Sequence, residues 1–226
     1  MTVDKSVEDL VVGILGGTGP QGQALGYRLA AAGQQVLIGS RRADRGADKA
    51  EELARAVGEG ARVGGGDNES VAADCDLAIV AVPYEGHRDL LAGLAEPLAG
   101  KIVVDCVNPL GFDPKGPYPL QVPEGSAAQQ AAEVLPDSTV IGAFHHVSSV
   151  LMSDPSVSSI DLDVMVLGED REAVGVVIQL AGRIPGMRGV YAGRLRLAHQ
   201  VEALTGNLIA VNRRYKTQAG FRVTGV

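Results

Sequence analysis

A glycine cluster near the start of the chain has the spacing of a nucleotide-binding loop. Gly17, Gly19 and Gly22 fit the pattern G-x-G-x-x-G. They follow an apolar run, Leu10 to Leu15, that predicts a buried strand, and they precede a helical pattern that starts at Gln21. In such a loop the first glycine permits a tight turn, the second leaves room for a pyrophosphate, and the third lets the helix pack against the strand.

The start of the helix after this loop is suited to an anion. Pro20 stands in its first turn, where the helix does not need the missing N–H. The free N–H groups of that turn and the positive end of the helix dipole would face a negatively charged group. The sequence therefore predicts a dinucleotide site.

The second predicted strand, Gln35 to Gly39, ends at a cationic segment. Ser40, Arg41 and Arg42 follow it, and Arg45 comes about one helical turn later. Proteins that select NAD place an acidic residue near this point, about 20 residues beyond the glycines. A hydroxyl and guanidinium groups instead fit the 2′-phosphate of NADP. The alternative is a solvated arginine cluster, but cations at a helix N-terminus are unfavourable without an anion nearby.

Two later strands of the predicted sheet end in candidate ligand contacts. Pro83 and Tyr84 follow the apolar strand Asp76–Val82, and Asn108 follows the strand Lys101–Asp105. In a doubly wound sheet, ligands bind at the carboxyl ends of the strands. Two alternatives stay open, because Tyr84 could be a surface aromatic residue and Asn108, followed by proline, could simply form a turn.

Adjacent histidines, His145 and His146, follow another predicted strand, Thr139 to Phe144. Zinc needs three or four ligands, and no cluster of Cys, His or carboxylate accompanies them, so no metal site is predicted. Two interpretations remain, a hydrogen-bond donor to a cofactor and a structural histidine in a turn. Val147 could supply an apolar wall beside them.

The composition is that of an ordinary globular protein. The chain has 226 residues, 46% of them hydrophobic and 21% charged. A net charge of −7 argues against nucleic acid or an anionic membrane as a partner. Cys75 and Cys106 lie far apart and match no metal spacing, which favours two reduced thiols in a cytoplasmic protein. The first ten residues are polar and predict a short tail rather than a secretory signal.

The order of elements predicts an α/β fold. We expect a Rossmann-type, doubly wound, mostly parallel sheet in residues 1–150 and a small C-terminal α/β domain in residues 151–226. The Gly- and Pro-rich segment Gly111–Pro123 is predicted to be a lid or binding loop. An apolar stripe on the last helix, Arg196 to Arg213, indicates core or dimer contact, and a homodimer is predicted.

Candidate catalytic groups are scarce. A dehydrogenase that acts on an alcohol or ketone needs a proton donor such as Lys, His or Tyr. The only lysines from residue 101 onward are Lys101, Lys115 and Lys216, and none lies on a predicted helix that faces the sheet edges. A second redox cofactor is therefore a possible hydride acceptor.

Four segments together resemble one family. Gly16–Gly22, Gly39–Arg42, Val82–Tyr84 and Asn108–Leu110 resemble the F420:NADP oxidoreductases, and the same domain is similar to the reductase domain of eukaryotic metalloreductases. The resemblance covers most of the chain. Arg45 stands where a lysine is expected, which keeps the charge.

The resemblance implies roles for individual residues. Thr18 to Gln21 would cradle the pyrophosphate, Ser40, Arg41 and Arg45 would hold the 2′-phosphate, and Gly220 would approach the deazaflavin through its backbone. Asn108, Leu110, His145, Val147 and Ser149 would line the nicotinamide and the deazaflavin. The whole predicted cofactor-binding set is Gly17, Thr18, Gly19, Pro20, Gln21, Gly22, Ser40, Arg41, Arg45, Val82, Pro83, Tyr84, Arg88, Asn108, Leu110, His145, Val147, Ser149 and Gly220.

The implied activity is reversible hydride transfer between NADP(H) and coenzyme F420. The hydride would pass between C4 of the nicotinamide and C5 of the deazaflavin, with no catalytic acid or base and no metal. Two alternatives stay open, an NADPH-dependent dehydrogenase of a small hydroxy or imino acid and an NADP(H)-binding module without turnover.

Overall fold

The computed structural model describes residues 5–226. Part of the predicted N-terminal tail, residues 1–4, lies outside them. In the described part of that segment, Val7–Asp9 form one 3₁₀ turn, and Lys5 forms an ion pair with Asp76 at 2.8 Å.

Strands and helices alternate along most of the chain. The strands are β1 (Val11–Leu15), β2 (Gln35–Ser40), β3 (Val63–Asp67), β4 (Leu77–Val80), β5 (Ile102–Asp105), β6 (Leu110–Asp113), β7 (Gly116–Pro119), β8 (Thr139–Gly142), β9 (Leu162–Gly168) and β10 (Met187–Tyr191). The helices are α1 (Pro20–Ala31), α2 (Ala43–Val57), α3 (Asn68–Asp74), α4 (His87–Gly93), α5 (Ala95–Leu98), α6 (Ala127–Val134), α7 (Ser149–Ser153), α8 (Arg171–Gly182) and α9 (Ala198–Tyr215).

An eight-stranded sheet with the order β10-β9-β8-β5-β4-β1-β2-β3 runs through the described residues. All its pairings are parallel except that between β8 and β9. The predicted Rossmann-type fold class is therefore confirmed. β9 and β10 extend the same sheet, and the predicted domain boundary near residue 150 stays a proposal.

Both faces of the central strands are buried. Ile79 of β4 and Val104 of β5 pack in one apolar layer with α1 and α8, whereas Val80 and Val103 pack in the other with α4 and α6. Because side chains alternate between the faces of a strand, helices must cover both sides. The helices leave only the two ends of the central strands uncovered. The candidate site forms at one of these ends.

Strand β3 contains three consecutive glycines, Gly64, Gly65 and Gly66, a composition that is unusual inside a strand. A side chain at Gly65 or Gly66 would have little room: Cβ atoms at Gly46 and Gly65 would collide with the facing backbone across the α2–β3 contact. The glycines are thus strand residues that let α2 approach the sheet closely.

The predicted lid, Gly111–Pro123, is partly regular. β6 and β7 form an antiparallel hairpin in which Leu110 pairs with Pro119. The hairpin packs against α9, where a Cβ at Gly206 would lie 3.7 Å from Leu110 and 3.8 Å from Pro117. This contact with α9 cannot be read from the local composition of the segment. A role of the hairpin as a lid or binding loop stays a prediction.

Candidate functional site

Two clefts open at the edge where β1, β2, β4, β5 and β8 end. The glycine-loop cleft, about 420 Å³, is lined by Gly16, Thr18, Gly19, Ser40, Arg41, Arg45, Asn68, Ala81, Val82, Pro83, Gly86 and Leu90. The histidine cleft, about 270 Å³, is lined by Gln21, Asn108, His145, His146, Val147, Ser148, Ser149, Val150, Thr205, Leu208, Ile209, Asn212, Gln218 and Ala219. The start of α1 contributes to both, since Gly19 lines the first and Gln21 the second.

The glycine loop is shaped by four glycines. Gly16 takes the left-handed φ of +72° that turns the chain out of β1. A Cβ at Gly17 would lie 2.9 Å from the carbonyl oxygen of Ile14, and a Cβ at Gly22 would lie 2.6 Å from the Cα of Gly17. The left-handed turn therefore belongs to Gly16, and Gly17 and Gly22 are needed for close packing. Gly19 is less crowded, so its backbone stays open to the cleft.

The cations at the end of β2 divide into two groups. Arg42 forms an exposed ion pair with Asp44 and does not line the cleft. The Asp44 carboxylate, by its hydrogen bond, raises the pKa of Arg42. Arg41 and Arg45 line the cleft, and within residues 5–226 neither guanidinium has a hydrogen bond or ion pair. The cleft thus presents two uncompensated positive charges beside the Ser40 side chain.

Asn68 is a lining residue that sequence reasoning missed. The residue before it, Asp67, caps α3 and accepts a hydrogen bond from the Ser70 backbone N–H at 2.8 Å. The Asn68 Oδ1 instead accepts from the Gly16 backbone N–H at 3.1 Å. Asn68 therefore joins the glycine loop after β1 to the start of α3, which follows β3. The contact exists because β1, β2 and β3 lie side by side in the sheet.

The histidine cleft has a neutral floor. Burial lowers the pKa of both His145 and His146 to about 4, so both rings are uncharged near neutral pH. His146 Nε2 accepts from the Met165 backbone N–H at 3.3 Å. Within the described chain, both ring nitrogens of His145 and the Oδ1 atom of Asn108 are buried without a hydrogen-bond partner. Buried polar atoms usually have partners, so these atoms mark a position suited to a polar ligand.

The backbone around His145 is held from three directions. The His145 carbonyl accepts from Asn108 Nδ2 at 2.7 Å and from Thr205 Oγ1 at 2.8 Å. Phe144, fully buried, adopts a left-handed φ of +62°, so β8 ends at Gly142 and not at Phe144 as predicted. Such a conformation is strained for a bulky residue and is typical of functional sites.

One wall of the histidine cleft is fastened by Arg28 of α1. Its buried guanidinium donates to the carbonyls of Leu151, Met152, Asp154 and Val157, at 2.6 to 3.2 Å. These carbonyls belong to the segment that follows the lining residues Ser148 to Val150. The short helix α7 and the residues that follow it are therefore held in place by one cation.

The C-terminal segment closes the far side of this cleft. Buried Asp163 accepts from Arg188 at 2.7 and 2.9 Å, from Arg222 at 2.7 Å and from the Val223 backbone N–H at 2.7 Å. The Arg188 guanidinium holds the pKa of Asp163 well below its usual range. This anchor places Ala219 at the cleft.

Most of the predicted residues lie at these two clefts, and a few lie elsewhere. Arg88 points to the α4–α6 surface, where it pairs with Glu124 and, at 3.2 Å, with Glu133. Half-buried Tyr84 stacks on His87, with 6.4 Å between ring centroids. Leu110 packs near Gly206, and Gly220 packs against Leu162 next to the lining residue Ala219. Contact with a cofactor stays a prediction for these four residues and equally for the predicted residues that line the clefts.

No group of three or more Cys, His, Asp or Glu residues in the described chain is arranged to hold a metal ion. Within the same residues, no helix combines the length and the apolar character needed to cross a membrane.

Comparison with known proteins agrees with this geometry. Residues 11–109 match the family model described as NADP oxidoreductase, coenzyme F420-dependent. The F420-dependent NADP reductase of Methanocaldococcus jannaschii is 38% identical over 221 residues, which cover 95% of this chain and 98% of that protein. The enzyme of the same name from Methanothermobacter marburgensis is 32% identical over 221 residues, with the same coverage.

A crystal structure points the same way. A protein from Arthrobacter sp. FB24 described as an F420-dependent NADP-reductase superimposes with a TM-score of 0.79 at 27% identity, covering 95% of this chain and 99% of that one. Relatives that match nearly end to end share the C-terminal part as well as the nucleotide-binding part. The chain belongs to the family of F420-dependent NADP reductases.

Proposed function

We propose that this protein catalyses reversible hydride transfer between NADP(H) and coenzyme F420. The observation that carries the proposal is the pair of clefts joined by the start of α1. One cleft is cationic and the other is lined by polar and apolar residues without charge, which suits a dinucleotide with an anionic adenosine end and a nicotinamide ring that carries no negative charge. The names of the full-length relatives support the same two cofactors.

The adenosine end fits the glycine-loop cleft. Arg41 and Arg45 have no carboxylate partner there, and charge-assisted hydrogen bonds to a 2′-phosphate would satisfy them. The open backbone at Gly19, where a Cβ would approach the Gly16 carbonyl oxygen to 3.4 Å, suits a pyrophosphate. Thr18, Pro20 and Gln21 belong to the same turn, and Val82 and Pro83 form the facing wall.

The ring end fits the histidine cleft. The partnerless Asn108 Oδ1 and His145 nitrogens suit the carboxamide of a nicotinamide or the polar edge of a deazaflavin. Val147, Ser149 and Leu208 would enclose the two rings and keep water away from them. The bound cofactors supply the hydride donor and acceptor, and the chain supplies alignment, which is the main source of acceleration when two reactants must meet.

A dehydrogenase of a small hydroxy or imino acid is less well supported. Such an enzyme needs a proton donor in its cleft, and no lysine lines either cleft in the described chain. Lys101 donates instead to the carbonyls of Ala72 and Ala73 at 2.6 Å. With its pKa lowered to about 4 by burial, His145 is not a protonated acid near neutral pH.

The proposal is tested by mixing the protein anaerobically with NADPH and oxidised F420. We expect loss of the deazaflavin absorbance band with NADPH and far slower loss with NADH. Absence of bleaching from neutral to alkaline pH would contradict the proposal. Tight NADPH binding together with no accepted substrate would favour a binding module instead.

We further propose a cytoplasmic homodimer. Cys75 and Cys106 are buried free thiols, as expected in a reducing compartment. Phe112 and Tyr118 on the hairpin and Tyr215 on α9 are 67%, 46% and 72% exposed, an apolar surface that a second copy could cover. Light scattering should give twice the mass of the chain, and Phe112→Ser with Tyr215→Ser should shift it towards the monomer. Cell fractionation tests the compartment.

A further inference from the structure

A cluster of buried ionisable groups lies behind the histidine cleft. His87, Asp105 and Glu202 are all at most 1% exposed, and none of them lines either cleft. They come from α4, β5 and α9. Charged groups are rarely buried this completely unless they are paired, so the cluster needs a reason.

Asp105 is the centre of the cluster and the end of β5. Its Oδ2 accepts from His87 Nε2 at 2.6 Å, and its Oδ1 accepts from the Val107 backbone N–H at 3.0 Å. The second bond fixes the turn that leads from β5 to Asn108. Asn108 in turn donates to the carbonyl of His145 in the cleft.

His87 is held on both sides of its ring. Its Nδ1 lies 2.9 Å from Gln130 Oε1, and Gln130 uses its Nε2 to donate to Glu124 at 3.2 Å. Both ring nitrogens face acceptor oxygens, an arrangement that favours the doubly protonated imidazolium form of the ring. Burial, the largest single influence, lowers the pKa of His87, but Asp105, Gln130 and Glu202 together outweigh it and the pKa is raised.

The remaining neighbours complete the surroundings of His87. Tyr84 stacks on the ring, and the Glu202 carboxylate lies close enough to raise its pKa further. Glu202 itself accepts from the backbone N–H groups of Ala127 and Ala128 at 3.0 and 3.1 Å, at the start of α6. Three residues later on α9, Thr205 donates to the same His145 carbonyl as Asn108.

We infer that His87 is a positioning residue for the ring end of the site: through Asp105 it fixes the turn that presents Asn108 to the nicotinamide. The inference rests on the proposed function for what occupies the cleft. The His87–Asp105 bond acts at a distance, since neither side chain reaches the cleft. Its loss should therefore disturb the ring end and leave the adenosine end intact.

The test compares His87→Gln with His199→Gln, a matched change at an exposed histidine on α9. In the cofactor-free protein, we expect His87→Gln to shift the side-chain amide resonance of Asn108 and His199→Gln to leave it in place. Adenosine 2′,5′-bisphosphate, which has no nicotinamide, should bind both variants as it binds the parent. Turnover of NADPH with F420 should fall roughly tenfold to a hundredfold in His87→Gln alone, mainly in kcat.

Other outcomes would overturn the inference. An unmoved Asn108 resonance, unchanged kcat, or equal weakening of NADP and of adenosine 2′,5′-bisphosphate would show that the pair is only a core contact. If His87→Gln does not fold, Asp105→Asn breaks the same ion pair with little change in volume and takes the same measurements. If the parent itself does not turn over F420, the proposed function fails, whereas the resonance of Asn108 still decides the inference.

Discussion

The two clefts differ in how the chain builds them. The glycine-loop cleft takes half of its lining residues, including both uncompensated cations, from the segment Gly16–Arg45, and most of the others from the segment that follows β4. The histidine cleft takes residues from α1, the end of β5, the end of β8, α9 and the C-terminal segment, and its histidines are neutral. Phosphates are recognised by charge that a local motif can supply, whereas flat rings need walls that converge from distant segments.

This contrast predicts that single substitutions can weaken binding of the adenosine end of the cofactor without affecting its ring end, and the reverse. A change at one cleft should alter binding at that end first, because the clefts share only the start of α1. The following tests run from the largest expected effect to the smallest.

The largest effect is expected from removing the two partnerless cations. Arg41→Ala with Arg45→Ala should weaken NADPH by a hundredfold or more and NADH very little, since each charged hydrogen bond contributes about 1.5–3 kcal/mol. Arg42→Ala is the control, because its guanidinium is already paired with Asp44. Titration calorimetry measures the affinities of the parent, the double variant and the control for NADPH and NADH. Equal losses for NADPH and NADH would show that the 2′-phosphate lies elsewhere.

Arg28→Met should affect the histidine cleft alone. Four carbonyls lose their donor, which should lower the free energy of unfolding by about 3 kcal/mol or more. The wall after Ser148 should loosen, so that KM for F420 rises while the affinity for adenosine 2′,5′-bisphosphate is unchanged. Arg62→Met, which removes an exposed arginine bonded to one carbonyl, is the control. A matching loss of adenosine affinity would contradict this separation.

Gly22→Ala tests packing at the shared start of α1. A Cβ there would meet backbone of the glycine loop, which cannot move aside as a side chain can, so thermal unfolding should show a loss of about 1–3 kcal/mol. Gly175→Ala in α8 is the control. No atom lies within 4 Å of the Cβ it would add, and it should stabilise the helix by about 0.5–1 kcal/mol. Equal effects at both positions would refute the packing argument.

The smallest effect on ligand binding, none at all, is expected for Glu202, which should change only the pH dependence of stability. Burial raises its pKa to about 7, above the value of about 4.3 expected in the unfolded chain. Between these values the Glu202 carboxyl binds more protons in the folded state, so its contribution to stability should decrease as pH rises from about 4.3 to about 7 and then stay constant. Glu202→Gln should remove this slope, which one proton limits to about 1.4 kcal/mol per pH unit. Denaturant unfolding at several pH values measures it, and an unchanged slope would place the titration elsewhere.

Much of the fold was predictable because its signals are local. The apolar runs of β1, β4 and β5 and the glycines before α1 stand in the sequence with their periods and spacing. β3 and the β6–β7 hairpin were not, because Gly64 to Gly66 and the segment from Leu110 to Pro119 look like loop until α2 and α9 pack against them.

The sequence by itself determined the choice of phosphate chemistry: glycines that expose backbone and arginines where an acid would select NAD. The tertiary structure alone decided which cations remain without a partner, that Asn68 supports the glycine loop, and that Asn108, His145 and Thr205 meet at one carbonyl. Spacing along the chain can encode contacts within one βαβ unit. It cannot encode contacts between segments 37 and 60 residues apart, which exist only after the sheet has assembled.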